Sequence, residues 1–173
     1  MKSGGLTCYN IKLRESNMTT YKEVKLLKDT EAAYIAGLID GEGTITLSRR
    51  HRNENRQLVI SISNNEKAIL DYVLNKSGVG IITKKRIYAA HHSINFSYKV
   101  SNRQAYSLLQ QISSYLKSHK RNRATLILDK YLCLTARNGK YTKQMKRERE
   151  RFITDFFKIT PYQHTGVIPG FAW

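Results

Sequence analysis

The stretch from Tyr34 to Ile45 reads YIAGLIDGEGTI: an apolar helix that runs into Asp40 and Glu42, set among glycines. A helix C-terminus carries partial negative charge and favours Lys, Arg or His. Its last carbonyls also lack intrahelical partners. Two acids in that place need a cation. The residues leave two readings open. One is a solvated loop in which Gly41 or Gly43 merely stops the helix. The other is a seat for a hard divalent cation, which takes oxygen ligands.

Upstream, Asp29 or Thr30 is a good N-cap and Glu31 falls in the first turn, so a helix is expected over 30–41. Its apolar residues Ala33, Tyr34, Ile35, Ala36, Leu38 and Ile39 surround it instead of lining one stripe, which predicts burial on more than one side. Ala33, Gly37 and Gly41 form a row of small residues. Glycine inside a helix costs about 1 kcal/mol against alanine. A close helix–helix contact along the row would offset that. Gly41 can be explained as a C-cap; Gly37 cannot.

Downstream of Gly43 the period becomes two. Residues 44–50 and 57–63 read as half-buried strands joined by the loop HRNENR. Residues 67–77 form an amphipathic helix, capped near Asn64–Asn65 and ended by Gly78. A second strand pair covers 80–89 and 93–101, with Ile94, Phe96, Tyr98 and Val100 facing one way. Helices follow over 104–116, 124–136 and roughly 142–158, and the basic knot KSHKRNR at 117–123 separates the first two. Residues 1–28 read as an extension, poorly ordered at its start and helical from Tyr21; 29–160 as one domain; 161–173 as a tail. The order α-ββ-α-ββ-α predicts an α+β fold with one four-stranded sheet. Helices cover its apolar face. The other face offers the polar and basic groups that bond base edges and phosphates, and such a ribbon can enter a DNA major groove.

Charge points the same way. Thirty Lys and Arg against 13 Asp and Glu give a formal +17. Residues 1–43 are net neutral, 44–102 carry +7 and 103–173 carry +10, so the bases follow the acid-ended helix. Clustered bases suggest a polyanion partner. No apolar run approaches the ~20 residues of a membrane span, and no membrane or small-molecule partner is expected. Cys8 and Cys133 make no CxxC or zinc-spaced ladder, so reduced thiols and an intracellular protein are expected. The pair His91–His92 reads as solvated strand or turn residues.

IAGLIDGEG at 35–43 resembles the LAGLIDADG motif of homing endonucleases, with Ile for the first Leu, Gly for the second Ala and Glu for the second Asp. One copy is present, as in the homodimeric members. The resemblance implies the αββαββα homing-endonuclease fold and a DNA-binding sheet. It implies motif helices of two subunits packed along a dyad through Ala33, Gly37 and Gly41. Glu42, with the Gly41 carbonyl, would hold Mg²⁺, for which Mn²⁺ could substitute. Asp40 would order the turn. Asn64 matches a water-orienting group, Lys67 a basic residue at the start of the next helix, and Lys120 a catalytic lysine, with Lys117 and Arg121 as neighbours in uncertain register. Base readout would fall to Thr46, Ser48, Arg50, Arg52, Gln57, Val59, Ser61, Ser63, Thr83, Lys85, Asn95, Ser97 and Lys99. The bases in 117–123, Arg123 among them, and those of the last helix would meet phosphate. The implied function is sequence-specific double-strand cleavage of a long pseudo-palindromic DNA target in intron homing, with an organellar location. The alternatives are a LAGLIDADG-type maturase assisting group I intron splicing and a general basic RNA-binding protein; the lack of an RNP-like aromatic strand argues against the latter.

Overall fold

The structure is a computed structural model that describes residues 22–49, 51–52, 54–86, 93–136 and 140–161. Its elements are α1 (Asp29–Glu42), β1 (Gly43–Ser48), β2 (Gln57–Asn64), α2 (Lys67–Ser77), β3 (Ile81–Lys84), β4 (Phe96–Ser101), α3 (Asn102–Ile112), α4 (His119–Lys130) and α5 (Lys143–Lys158). The strands pair antiparallel in the order β1-β2-β4-β3. This is the α+β arrangement expected from the element order.

Period-two alternation places Ile45, Leu47, Leu58, Ile60, Ile62, Tyr98 and Val100 on one face, all buried. Register stacks them across strands: Ile45 opposes Ile60, which opposes Val100, and Ile62 opposes Tyr98. One core cluster joins them to Ile35 and Ile39 of α1, Leu70 and Val73 of α2, Leu108 and Ile112 of α3, Ile127 of α4, and Phe152 and Phe156 of α5. Tyr98 closes the core with a polar end: its hydroxyl donates to the Val79 carbonyl at 2.9 Å and lies 3.1 Å from Ser77 Oγ.

Several boundaries differ from the expectation, for local reasons. α1 begins at Asp29 with Lys28 as N-cap, because the Glu31 carboxylate accepts from the Lys28 amide at 3.1 Å. Residues 22–28 are not helical. They form a strap: the Lys25 amide donates to the Ser77 carbonyl at 2.9 Å, the Leu27 amide to Gln111 Oε1 at 2.8 Å, and Leu27 is buried. α2 follows the expected span, and Gly78 ends it at φ 72°, a left-handed turn suited to glycine. β3 is shorter than expected, and the rest of its span with His91–His92 lies outside the described residues. α3 runs 102–112 and gives way to a 3₁₀ turn at 113–115. α4 starts at His119, not 124, so most of the basic knot is helix.

α5 docks through an arginine. Arg149 is buried, and its Nη1 donates to the Leu134 carbonyl at 2.6 Å and to Thr135 Oγ1 at 3.2 Å. Its Nη2 donates to the Arg56 carbonyl, and Tyr141 stacks beneath the guanidinium. This side chain, expected on phosphate, instead joins α5 to the start of β2 and the end of α4. Arg149→Ala leaves those buried carbonyls unpaired. The expected cost is about 2–3 kcal/mol, a fall in Tm of roughly 5–10 °C by calorimetry. Arg149→Lys lacks the fork and rescues little of it.

Candidate active site and nucleic-acid interface

The two acids of the opening stretch have separate fates. Asp40 turns toward the start of α4. It accepts from the Lys117 amide at 2.6 Å, from Ser118 Oγ at 2.6 Å and from the Ser118 amide at 3.4 Å. Ser118 is the α4 N-cap, and its Oγ also accepts from the Lys120 amide at 3.2 Å. Burial pushes the Asp40 carboxyl up. The bonds from Ser118 and Lys117 and the charge of Lys120 outweigh it, and hold the pKa below its ordinary value.

Lys120 returns the contact. Its Nζ donates to the Ile39 carbonyl at 2.7 Å and to the Asp40 carbonyl at 2.9 Å. This is the cation that the α1 C-terminus required. It arrives from the next helix but two, so it is invisible as a local cap. Burial lowers the Lys120 pKa, and the charge of Arg123 adds to that; the charges of Asp40 and Glu42 oppose it. The same surroundings, burial first and then Arg123 and Lys120, push His119 down, against Asp40.

Glu42 is the last residue of α1 and is exposed. The chain leaves the helix straight into β1 because Gly43 has no side chain: a Cβ there would lie 2.6 Å from Ile39 Cα. One acid is thus held by α4 while the other is presented to solvent beside Lys120. Asp40→Ala removes three hydrogen bonds from this corner and should cost about 1–2 kcal/mol at neutral pH. Since the folded pKa of Asp40 is lowered, the wild-type advantage is complete above the ordinary value of 3.8 and is lost as pH falls through the folded pKa. Urea denaturation at pH 7 and pH 3 checks both.

Asn64 and Lys67 each make a local contact at the start of α2. Asn64 ends β2, and its Oδ1 accepts from the Glu66 amide at 2.8 Å, which turns the chain into α2. Lys67 pairs with Asp71 at 2.8 Å. Both side chains are bonded at the start of α2, and the register that sets Ile62 opposite Gly43 brings the end of β2 alongside the end of α1.

Register collects the outer sheet face. Thr44 opposes Ser61, which opposes Lys99; Thr46 opposes Val59; Ser48 opposes Gln57; Ser63 opposes Ser97, which opposes Thr83. The Lys85 amide donates to the Asn95 carbonyl at 2.8 Å, just past the β3–β4 ladder. So Thr46, Ser48, Gln57, Ser61, Ser63, Thr83, Ser97 and Lys99 share one face. Arg52 and Lys85 are exposed near its ends, Asn95 is half-buried, and Arg50 lies outside the described residues. Val59 is 4% exposed between Thr46 and Ser101 and offers no surface. Arg123 also drops out of the phosphate-facing set. Its guanidinium donates to the Ile45 carbonyl at 3.1 Å and the Ile159 carbonyl at 2.9 Å, over the Phe156 ring. Lys117 and Arg121 remain exposed. Thr44, Ile81 and Ser101 belong to the face and were not sequence candidates; cross-strand register is the signal that finds them.

Residues 29–128 match the family model described as a LAGLIDADG-like domain. The chain belongs to this family. No curated protein matches it. Solved structures of similar fold include the homing endonuclease I-CvuI in complex with its target in the presence of Ca, at 17% identity and TM-score 0.62, covering 79% of this chain and 85% of that one. An archaeal intron-encoded homing endonuclease complexed with DNA, I-Vdi141I, matches at 17% and 0.51, covering 79% and 87%. The meganuclease I-SmaMI bound to uncleaveable DNA matches at 15% and 0.55, covering 72% of this chain and 42% of that one.

The LAGLIDADG helix has two apolar faces. Ala32, Ile35, Ala36 and Ile39 pack into the core. Ala33, Tyr34, Gly37 and Gly41 are exposed, so within one chain the helix is buried on one side, not on several. A Cβ at Gly37 or Gly41 would meet nothing within 4 Å. Packing inside the chain therefore gives no reason for either glycine.

Proposed function

We propose that this LAGLIDADG-like protein is a metal-dependent, sequence-specific DNA endonuclease that acts as a homodimer on a long pseudo-palindromic target and serves intron homing. The observation that carries the reading is the α1–α4 corner. It presents one exposed carboxylate, Glu42, beside a half-buried lysine, at the rim of a polar sheet face on a strongly basic chain. A binding module has no need of that exposed acid.

The donor set fits a hard metal shared with substrate. Among the described residues, no three His, Cys, Asp or Glu side chains gather as a closed site. Mg²⁺ is commonly held by one or two carboxylates together with substrate phosphates and water. Glu42 and the Gly41 carbonyl would hold it here. When bound, it would activate water and neutralise charge in an in-line displacement on phosphorus. Lys120 keeps α1 registered against α4 and adds fixed positive charge near the developing negative charge. The outer sheet face reads base edges, and Lys117 and Arg121 meet phosphate. A second copy on the exposed row Ala33, Gly37 and Gly41 brings two Glu42 side chains to one target, one for each strand. The match to less than half of the I-SmaMI chain accords with one functional half per polypeptide.

The test is selection for cutting. Plasmids carrying a randomised insert are incubated with the protein and Mg²⁺, and linear products are sequenced. The reading predicts recurrent cleavage of one pseudo-palindromic sequence. Tight binding to a structured intron RNA with no DNA cut would replace it with the maturase reading.

A further inference from the structure

On the outer face of the sheet, Ile81 stands apart. It is 59% exposed, and among the described residues it is the exposed large apolar side chain that lies within a strand. Its alternation partner on β3 is Thr83, and its cross-strand partner on β4 is Lys99. Lys99 in turn opposes Ser61 on β2. The side chain is thus flanked by hydrogen-bonding groups on the face assigned to DNA. An isolated exposed Ile on an arbitrary surface needs no explanation. Here it sits where every useful group must face a base edge, a sugar or a phosphate. It can form no hydrogen bond with any of them. The one apolar group in the major groove is the thymine 5-methyl. Lys99 beside it is a donor of the type that meets guanine O6 and N7.

We propose that Ile81 is a specificity-determining residue that contacts a thymine 5-methyl group, while Lys99 bonds a neighbouring base pair. The inference rests on the endonuclease reading above and deepens it. Contact with one methyl is worth about fourfold in affinity, the size expected for burying one such carbon. Lys99 makes the position asymmetric, because a lysine beside the contact favours a purine acceptor on an adjacent pair.

The experiment uses the tightest duplex selected from the randomised pool, in Ca²⁺. Each thymine of one half-site is replaced in turn by deoxyuridine, which removes the methyl and nothing else. Wild type should lose about fourfold at one thymine. Ile81→Ala, which alters both subunits, should bind the parent duplex about fourfold more weakly for each half-site that carries the thymine, roughly 16-fold when both do, and be indifferent to deoxyuridine there. Ile81→Val should keep part of the preference, which separates a contact role from a folding defect. A duplex bound without dependence on any methyl overturns the Ile81 assignment alone. So does a methyl effect that survives unchanged in Ile81→Ala. Failure to bind any duplex overturns it together with the endonuclease reading.

Discussion

Glu42→Gln leaves DNA binding intact and abolishes cleavage. The substitution keeps size and removes only the charge of an exposed side chain, so the fold and the sheet face are untouched. A metal held there by one carboxylate, as proposed, would lose its single charged protein ligand. The loss corresponds to about 4 kcal/mol of transition-state stabilisation, roughly 10³-fold in rate or more. Gel shift in Ca²⁺ and plasmid cleavage in Mg²⁺ measure the two sides. Mixing wild-type and Glu42→Gln chains before adding DNA should yield nicked circles, because each Glu42 serves one strand. Wild-type rates in the pure variant would remove Glu42 from the chemistry.

Gly37→Arg should turn the proposed dimer into a monomer. Within one chain the change is harmless: a Cβ at Gly37 meets nothing within 4 Å, and arginine is a better helix former than glycine by somewhat under 1 kcal/mol. Between the chains of the proposed dimer a long charged side chain would separate the two α1 helices. Dimer dissociation should rise by about 10³-fold or more, of the order of 4 kcal/mol. Light scattering should then report the 20.0 kDa chain mass for the variant and twice that for wild type. Circular dichroism should show the variant's helices intact, and double-strand cleavage should vanish. A variant that stays dimeric and cuts DNA would move the interface off α1.

These predictions draw on parts of the molecule that differ in how readable they are from sequence. β2 and α2 are legible because their signals are local: clean alternation over 57–64, an amphipathic period over 67–77, and Gly78 in a left-handed turn. The exposed and buried faces of α1 are half legible. Apolar residues all round the helix show that it has more than one contact face, but not that one of them is left open in the single chain. The α4 start is not legible. Residues 117–123 look like a basic loop, and they become helix because Ser118 caps them and Asp40, from α1, takes the amides. The arginines show the same limit more sharply. Arg121, Arg123 and Arg149 are alike as letters in basic stretches. Arg121 faces water, whereas Arg123 and Arg149 satisfy carbonyls between elements far apart in the chain. Charge composition predicts a polyanion partner but cannot say which bases are spent inside the protein.

The most direct measurement is cleavage of a supercoiled plasmid bearing one selected site, titrated with Mg²⁺ and then with a chelator. The account predicts linear DNA whose appearance follows the metal and stops with the chelator, while binding persists. Tight, site-specific binding that leaves the plasmid supercoiled at every Mg²⁺ or Mn²⁺ concentration would contradict it.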